Sequence, residues 1–194
     1  DLDVSGVKVV GYGGAPIAPE LVRRIMRAFP AARLVNGYGL SETSAASTSL
    51  SHEYAASRPE SVGVAVPVVE LELHDVDPDT GVGELAIRGQ NVTKGYWRKP
   101  EATAAAFGDG WVRTGDLARV DADGFVVLVD RKKDMINRGG ENVYCVEVEN
   151  ALAEHPAVYE SAVLAVPDDM LGEAVGAVIV PKPGETIDPR ELRA

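Results

Sequence analysis

The chain has 194 residues, of which 45% are hydrophobic and 25% are charged, so it is long enough to bury a substantial core. Its 30 acidic residues outnumber its 19 basic ones and give a net charge of −11, which argues against a nucleic-acid surface or a patch for anionic membranes. A single cysteine excludes an internal disulfide and a cysteine-based metal cluster, and it favours a reducing cytoplasm. No apolar run approaches the roughly 20 residues of a membrane span. The sequence is compatible with a monomer or an oligomer.

The first part of the sequence predicts a strand, a helix and a second strand. The segments Val7–Val10 and Arg33–Asn36 predict the strands, and Pro19–Ala28 predicts the helix between them. A parallel sheet requires this kind of connection. Ligands of such sheets bind beyond the carboxyl ends of the strands, where Gly11–Pro16 and the turn after Asn36 fall.

The segment Leu34–Thr43, with the sequence LVNGYGLSET, gathers groups that suit a nucleotide. The ring of Tyr38 can stack on a purine, and glycines such as Gly39 let the backbone approach a ligand closely. The hydroxyl of Ser41 can bind a phosphate oxygen, and the carboxylate of Glu42 can hold the Mg²⁺ that screens a polyphosphate. A simpler interpretation also exists, because a strand that ends in a glycine-rich turn is a common structural feature.

From Val62 to Val129 the pattern changes to short strands that are separated by turns. Pro100–Phe107 interrupts them with a short Ala-rich helix, and Gly110–Asp116 places an acidic side chain on a tight turn. The predicted strands are Val68–His74, Gly83–Arg88, Leu117–Val120 and Phe125–Val129.

The last part of the sequence predicts a second domain that begins near Lys133. Val143–Ala153 has the spacing of a helix, and Ser161–Val166 and Ala174–Val180 have the composition of strands. Asp188, followed by a proline, predicts the start of one more helix.

Three segments in this order, Tyr38–Glu42, Thr114–Asp116 and Arg131–Asn142, make the chain resemble the adenylate-forming superfamily. This superfamily contains acyl- and aryl-CoA ligases, luciferases and the adenylation domains of nonribosomal peptide synthetases. Its Tyr-Gly-x-Thr-Glu signature stands here as YGLSE, in which Ser41 replaces threonine and keeps the hydroxyl. The resemblance runs essentially end to end, and the sequence GGENV at 139–143 favours the acyl-CoA synthetase, or fatty-acid–CoA ligase, type.

The resemblance implies a fold that is part α/β and part β, followed by an α+β domain. Residues 1–61 would end the α/β subdomain of an AMP-binding domain, residues 62–132 would form a β-barrel-like subdomain, and residues 133–194 would form a truncated mobile C-terminal domain. Members of the family also have an upstream phosphate loop and a catalytic lysine near the C-terminus, and neither is present in this sequence. The chain is therefore expected to be an internal fragment that is inactive by itself.

The resemblance also implies an activity for the intact enzyme. Such an enzyme uses Mg²⁺ and ATP to convert a small-molecule carboxylate to acyl-AMP, and it then transfers the acyl group to coenzyme A. Two alternatives stay open at this point: an adenylation domain that serves a carrier protein, and a domain that keeps the fold without catalysis.

The resemblance assigns a role to each candidate residue. Tyr38 and Gly39 belong to the nucleotide signature, and Gly13, Gly14 and Ala15 would lie against the adenine. Asp116 would accept hydrogen bonds from the ribose hydroxyls, and Arg131 would reach ribose or phosphate oxygens. The residues assigned to catalysis are Ser41, Glu42 as the magnesium ligand, Lys133 as a hinge and Gly140 in the loop for thioester formation.

For several of these residues, a purely structural or surface role is the alternative interpretation. Asp116 would cap a turn, Arg131 would be a surface charge, and Glu42 would be an acidic residue at a helix N-terminus. Among the aromatic residues, Tyr96, Trp97 and Trp111 are predicted to have packing roles.

Overall fold

The computed structural model describes residues 3–14 and 17–193, and it divides into two compact units, Asp1–Leu128 and Val129–Ala194. The partition into three parts, with a boundary at Lys133, stays a prediction. Within the described ranges, no helix has the length and apolarity that crossing a membrane would require.

The first unit begins with the predicted strand–helix–strand unit. Strand β1 (Val9–Gly13) and strand β2 (Arg33–Tyr38) are parallel, and helix α1 (Pro19–Ala28) connects them with the predicted bounds. The helix begins at a proline, whose missing N–H costs nothing in the first turn, and it buries Val22. Strand β1 lies further along the chain than the predicted Val7–Val10, because its glycine-rich end pairs with the end of β2.

The rest of the first unit is mainly β-structure. Its strands alternate with turns and short helices, as the sequence pattern predicts, except that the two short strands β3 and β4 are rich in small and polar residues and escaped prediction. The elements are a 3₁₀ helix (Ser41–Thr43), β3 (Thr48–Leu50), α2 (His52–Ala55), β4 (Ser61–Ala65), β5 (Val69–His74), β6 (Gly83–Gly89), α3 (Pro100–Ala106), β7 (Phe107–Gly108), β8 (Trp111–Val120) and β9 (Val126–Arg131).

These strands form one sheet with the order β1-β2-β3-β4-β9-β8-β6-β5, and β7 pairs with β8 beside this path. Strand β4 pairs with both β3 and β9, so the α/β part and the β part share a continuous sheet. The predicted mixed fold is confirmed. Across the described residues the recorded strand pairing is that of an open sheet, and no closed barrel is seen.

Two apolar clusters support this sheet. One packs α1 and α2 against β2 through Val22, Leu34 and Ala55. The larger one lies under the β part, and Tyr38 and Leu40 pack against it from the end of β2. Its buried members are Val69, Leu85, Ile87, Val112, Ala118 and Val126. Tyr38 therefore packs on the same core as Val112 and Ala118, which belong to the strand that carries Asp116.

The second unit contains a four-stranded sheet and one α-helix within its described part. The elements are β10 (Ile136–Arg138), β11 (Glu141–Val143), α4 (Cys145–Ala153), β12 (Val158–Asp168) and β13 (Gly172–Pro181), with the sheet order β11-β10-β13-β12. The predicted helix and the two predicted long strands are present, but the segment Arg131–Asn142, predicted as hinge and loop, also contains β10 and the start of β11.

One predicted helix is absent. The segment after Asp188 is a turn that leads into a 3₁₀ helix at Glu191–Arg193. The carboxylate of Asp188 accepts a hydrogen bond from the backbone N–H of Arg190 at 2.9 Å, which is the Asx-turn geometry that competes with an α-helical start.

Candidate functional site

The carboxyl ends of the two parallel strands lie side by side. Gly13 at the end of β1 is opposite Gly37 in β2, so Gly14 and Tyr38 follow at the same edge of the sheet. This is the edge at which ligands bind to parallel sheets. The structure thus brings together the first glycine pair and the tyrosine signature, while Ala15 lies outside the described residues.

Close backbone packing explains two of the glycines. A Cβ atom on Gly13 would lie 2.4 Å from the carbonyl oxygen of Gly37, and one on Gly39 would lie 1.6 Å from that of Ala45. Both glycines are therefore required by the fold itself. A Cβ atom on Gly14 would meet no atom within 4 Å, which leaves space for a ligand on that side.

The turn after Tyr38 is held by a threonine that the sequence motif did not single out. Thr43 is fully buried. Its hydroxyl oxygen accepts a hydrogen bond from the N–H of Leu40 at 3.0 Å and lies 3.1 and 3.2 Å from the carbonyl oxygens of Leu40 and Ala45. The following residues, Ser44 and Ala45, have φ angles of 51° and 95°, a strained conformation of the kind found near functional sites.

The 3₁₀ helix in this turn presents Ser41 and Glu42. The side chain of Ser41 is exposed, and that of Glu42 is partly buried. The carboxylate oxygen Oε1 of Glu42 accepts a hydrogen bond from the hydroxyl of Tyr96 at 2.5 Å, and its Oε2 has no recorded hydrogen bond in the part of the chain that the structure describes. One carboxylate oxygen is thus available to a cation.

The surroundings of Glu42 suit Mg²⁺ better than a metal that needs several protein ligands. Within the described ranges, no three histidine, cysteine or acidic side chains converge on one point. Magnesium usually keeps several water molecules and binds through one or two carboxylates and the phosphates of a substrate. A single carboxylate with one oxygen not engaged by a recorded hydrogen bond in the described part of the chain fits this pattern.

Asp116 lies on a bulge in strand β8, and the prediction of a tight turn at this position was wrong. Leu117 pairs with Glu84 and Arg113 with Ala86, so Thr114–Asp116 face only one residue of β6. Gly115 has a φ angle of 74°, which a bulge of this kind requires. A β-bulge redirects a side chain without ending the strand.

Two side chains hold this bulge. The hydroxyl of Thr114 donates to the carbonyl oxygen of Leu85 at 2.7 Å and accepts from the N–H of Asp116 at 3.1 Å. The carboxylate of Glu84, which is buried, accepts from the N–H of Gly115 at 3.2 Å and pairs with Arg113 at 2.6 Å. The conformation of the Thr-Gly-Asp motif is therefore fixed by its own threonine and by a glutamate from the neighbouring strand.

A hydrogen bond joins the tyrosine signature to the Thr-Gly-Asp motif. The hydroxyl of Tyr38 donates to the Oδ2 atom of Asp116 at 2.6 Å, although the two residues are 78 positions apart in the sequence. Asp116 is buried, with 9% of its surface exposed. The bond fixes the direction of the Tyr38 ring and leaves the carboxylate at the end of β2.

The remaining candidates belong to the second unit. Arg131 is the last residue of β9 and is exposed. Lys133 lies in a turn that the N–H of Asp134 closes by donating to the carbonyl oxygen of Arg131 at 2.9 Å. Gly140 lies between β10 and β11 with a φ angle of 97°.

Sequence reasoning missed three residues near these motifs: Thr43, Glu84 and Tyr96. Their signals were weak, because each lies beside or outside the motif it supports. The packing role predicted for Trp97 was wrong, since 84% of its surface is exposed. Tyr96 does more than pack, because its hydroxyl also donates a hydrogen bond to Glu42.

Comparisons with known proteins agree on one family. The model of the AMP-binding enzyme family matches residues 1–97, and that of the AMP-binding enzyme C-terminal domain matches residues 147–194. A feruloyl-CoA synthase from Amycolatopsis sp is 41% identical over 99% of this chain and 40% of its own length. A long-chain-fatty-acid–CoA ligase from Bacillus subtilis is 40% identical over 99% of this chain and 35% of its own length. The chain thus spans less than half the length of these relatives.

Solved structures that are similar to this chain belong to the same family as the relatives found by sequence. The amide bond synthetase McbA from Marinactinospora thermotolerans matches 98% of this chain and 40% of its own, with a TM-score of 0.90 and 40% identity. The o-succinylbenzoate CoA synthetase MenE from Bacillus subtilis, in complex with ATP and a magnesium ion, matches 96% of this chain and 38% of its own, with a TM-score of 0.84 and 32% identity. Together with the site at the end of β2, these matches show that the chain belongs to the AMP-binding enzyme family of adenylate-forming enzymes.

Proposed function

We propose that this chain forms part of an acyl-CoA ligase, which activates a carboxylic acid with ATP and passes the acyl group to coenzyme A. In the first half-reaction, a carboxylate oxygen attacks the α-phosphorus of ATP, and the bond to pyrophosphate breaks. In the second, the thiol of coenzyme A attacks the acyl carbon, loses its proton and releases AMP. No protein nucleophile is needed, so the residues serve to position groups and to neutralise charge.

The hydrogen bond between Tyr38 and Asp116 is the observation that carries this proposal. It sets an aromatic ring and a carboxylate next to each other, and these are the two groups that suit an adenine and a ribose. In the proposed complex, Tyr38 stacks on the adenine and Asp116 accepts a ribose hydroxyl. Gly14 offers open backbone beside them.

Glu42, Ser41 and Arg131 would handle the phosphates. Glu42 would hold Mg²⁺ through the carboxylate oxygen that faces away from Tyr96, and Ser41 would donate to a phosphate oxygen. A bound Mg²⁺ would supply charge screening for the phosphates. Arg131 would contribute a planar cationic group to ribose or phosphate oxygens.

Coenzyme A is the acceptor that most of the named relatives favour, but one alternative has support of its own. The feruloyl-CoA synthase and the fatty-acid ligase use coenzyme A by name. The amide bond synthetase, with 40% identity, transfers to a nitrogen by name. An amine acceptor is therefore the second candidate, and it shares the adenylation half-reaction and all of the residues above. A cytoplasmic location, which the single cysteine suggests, stays a prediction.

Two assays on a full-length ligase that contains this chain test the proposal. Carboxylate-dependent exchange of pyrophosphate into ATP, measured with fatty, aryl and branched acids, reports the first half-reaction and the acyl substrate. Product formation from the best acid with coenzyme A, with a panel of amines and with a carrier protein then identifies the acceptor. Absence of exchange with every acid would overturn adenylation, whereas exchange followed by an amide or carrier-bound product would overturn only the acceptor.

A further inference from the structure

The carboxylate of Glu42 is held by a residue outside the tyrosine signature. The hydroxyl of Tyr96 donates to Glu42 Oε1 at 2.5 Å, a short bond of the kind formed with an ionised acceptor. A phenolic O–H can donate and a carboxylate can only accept, so Tyr96 is the donor of this bond.

The backbone around Glu42 is tied to the same segment. The N–H of Thr93 donates to the carbonyl oxygen of Glu42 at 2.7 Å. Both the main chain and the side chain of Glu42 are therefore bonded to residues 93–96, which precede helix α3. Because the 3₁₀ helix that carries Glu42 has only three residues, these external bonds decide how the carboxylate points.

Tyr96 is itself fixed by its neighbours. Its backbone N–H donates to the hydroxyl oxygen of Thr103 at 2.9 Å, and that hydroxyl donates to the carbonyl oxygen of Lys99 at 2.8 Å. Its ring packs edge-on against Phe107 with 5.5 Å between the ring centroids. A fixed donor of this kind can hold a carboxylate in one orientation.

The orientation of the Glu42 carboxylate matters because few protein groups would bind the metal ion. If Glu42 is the protein ligand of Mg²⁺, the metal depends on the direction of one carboxylate. Groups that bond to a metal ligand without touching the metal orient that ligand, and their loss typically lowers metal affinity by roughly 10- to 100-fold. The hydroxyl of Tyr96 is a group of this kind, because it bonds to Glu42.

We propose that Tyr96 is a positioning residue, which holds the Glu42 carboxylate so that its second oxygen faces the Mg²⁺ of the bound nucleotide. The proposal rests on the proposed function, in that it needs Glu42 as the metal ligand. It assigns to Tyr96 an effect on metal affinity and leaves the chemistry of the saturated enzyme unchanged.

The test compares Tyr96→Phe with Tyr54→Phe in the full-length ligase. Tyr54 is a matched control, because its ring also packs edge-on against a phenylalanine and it is 44% exposed, against 37% for Tyr96. Binding of Mn²⁺ in the presence of ATP, followed by electron paramagnetic resonance, should weaken roughly 10-fold in Tyr96→Phe and stay unchanged in Tyr54→Phe. In the exchange assay, Tyr96→Phe should raise the Mg²⁺ concentration for half-maximal rate by a similar factor, while the rate at saturating Mg²⁺ stays near that of the parent.

A double-mutant cycle separates this inference from the proposed function. Glu42→Gln alone should weaken Mn²⁺ binding, and adding Tyr96→Phe to it should cause little further loss, since the carboxylate to be positioned is gone. If Glu42→Gln leaves Mn²⁺ binding unchanged, the metal site at Glu42 is wrong and the inference is overturned with it. If Glu42→Gln weakens binding and Tyr96→Phe does not, only the role of Tyr96 is overturned. Equal and additive losses from the two changes would also contradict it.

Discussion

At the scale of single residues, the candidate site depends on carboxylates whose directions are set by neighbouring donors. Asp116 is bonded to the hydroxyl of Tyr38, and Glu42 to that of Tyr96. Each tyrosine comes from a segment distant in sequence from its carboxylate, so the two pairs also connect β2 with β8, and the 3₁₀ helix with the segment before α3. Removal of either partner is therefore expected to change the direction of the carboxylate and to remove one contact between these segments.

Asp116→Ala should weaken ATP binding in a full-length ligase that contains this chain. A hydrogen bond to a charged group contributes about 1.5–3 kcal/mol, which corresponds to a rise of roughly 10- to 150-fold in the KM for ATP. Asp79→Ala, on an exposed turn between β5 and β6, serves as the control and should leave this KM unchanged. Steady-state kinetics at saturating carboxylate measure both. An unchanged KM in Asp116→Ala would show that the ribose role is wrong.

Cys145 should resist alkylation at neutral pH. Burial, followed by the nearby charges of Asp130, Glu149 and Asp134, raises the pKa of its thiol to about 11, and only the thiolate reacts readily. Iodoacetamide should modify the folded chain slowly at pH 8 and faster as the pH approaches 11, while the chain in urea should react readily at pH 8. Mass spectrometry gives a clear readout, because the chain has one cysteine. Equal rates for folded and denatured chain at pH 8 would contradict the burial of the thiol.

The same pKa shift predicts a loss of stability in alkali. Because the folded-state pKa lies above the unfolded one, the unfolded thiol loses its proton first, and folding is disfavoured as the pH rises between the two values. Below the unfolded pKa, this contribution to stability is fully present. The free energy of unfolding should therefore fall between about pH 9 and pH 11 more steeply for the native chain than for Cys145→Ala. Parallel curves for the two proteins would exclude this cause.

At the scale of secondary-structure elements, the sequence predicts the helices and strands that form because of a local residue pattern. Helix α1 has the predicted bounds because a proline begins it and a periodic apolar face continues it. The short strands β3 and β4, which are rich in small and polar residues, have no such pattern, and the hydroxyls of Thr48 and Ser61 donate to neighbouring strands. The bulge at Asp116 likewise depends on Glu84 in another strand, which a motif of three residues cannot reveal. The residue types of the candidate site could be predicted from the sequence, but the partners that orient these residues could not.

Two glycines in strand β1 should respond differently to the same substitution. Gly13→Ala would place a Cβ atom against the backbone of β2 and require a φ angle of 147°, whereas Gly11→Ala would meet no atom within 4 Å. We expect Gly13→Ala to lower the free energy of unfolding by about 2 kcal/mol or more, and Gly11→Ala to change it by about 0.5 kcal/mol or less. Urea unfolding of the 194-residue chain without nucleotide measures both. Equal midpoints would mean that Gly13 is not required for strand pairing.

At the scale of the whole molecule, the chain contains the residues proposed to contact adenine and ribose, but it lacks some of the groups that the proposed reaction needs. It spans 40% of the length of the feruloyl-CoA synthase to which it is similar. Its sequence contains neither the phosphate loop nor the terminal lysine that the family resemblance implies. Loss of a single group that stabilises developing charge typically costs roughly 10²–10³ in rate. The 194 residues alone should therefore form no detectable acyl-AMP, and a rate comparable to that of a complete ligase would refute this expectation.

A hinge at Lys133 should matter for only one of the two half-reactions. Two half-reactions that share one cleft need two arrangements of the groups around it, and a hinge residue must absorb the change in backbone angles. Lys133→Pro fixes φ in the turn closed by Asp134, so it should favour one arrangement. In the full-length ligase it should spare pyrophosphate exchange and lower acyl-CoA formation by roughly 100-fold. Lys133→Ala, which keeps the backbone free, is the control and should preserve both activities.

Gly140 should affect the same half-reaction for a different reason, since the family resemblance implies that its loop serves thioester formation. Its φ angle of 97° suits glycine, and a Cβ atom there would meet no described atom within 4 Å, so the space beside it is open. Gly140→Leu should block this space and depress acyl-CoA formation while pyrophosphate exchange continues. Gly140→Asn tolerates a positive φ better and has a shorter side chain, so its loss should be smaller. Equal loss of both half-reactions in Gly140→Leu would mean that the loop serves folding or adenylation, because a residue used only for thioester formation cannot slow the step that precedes it.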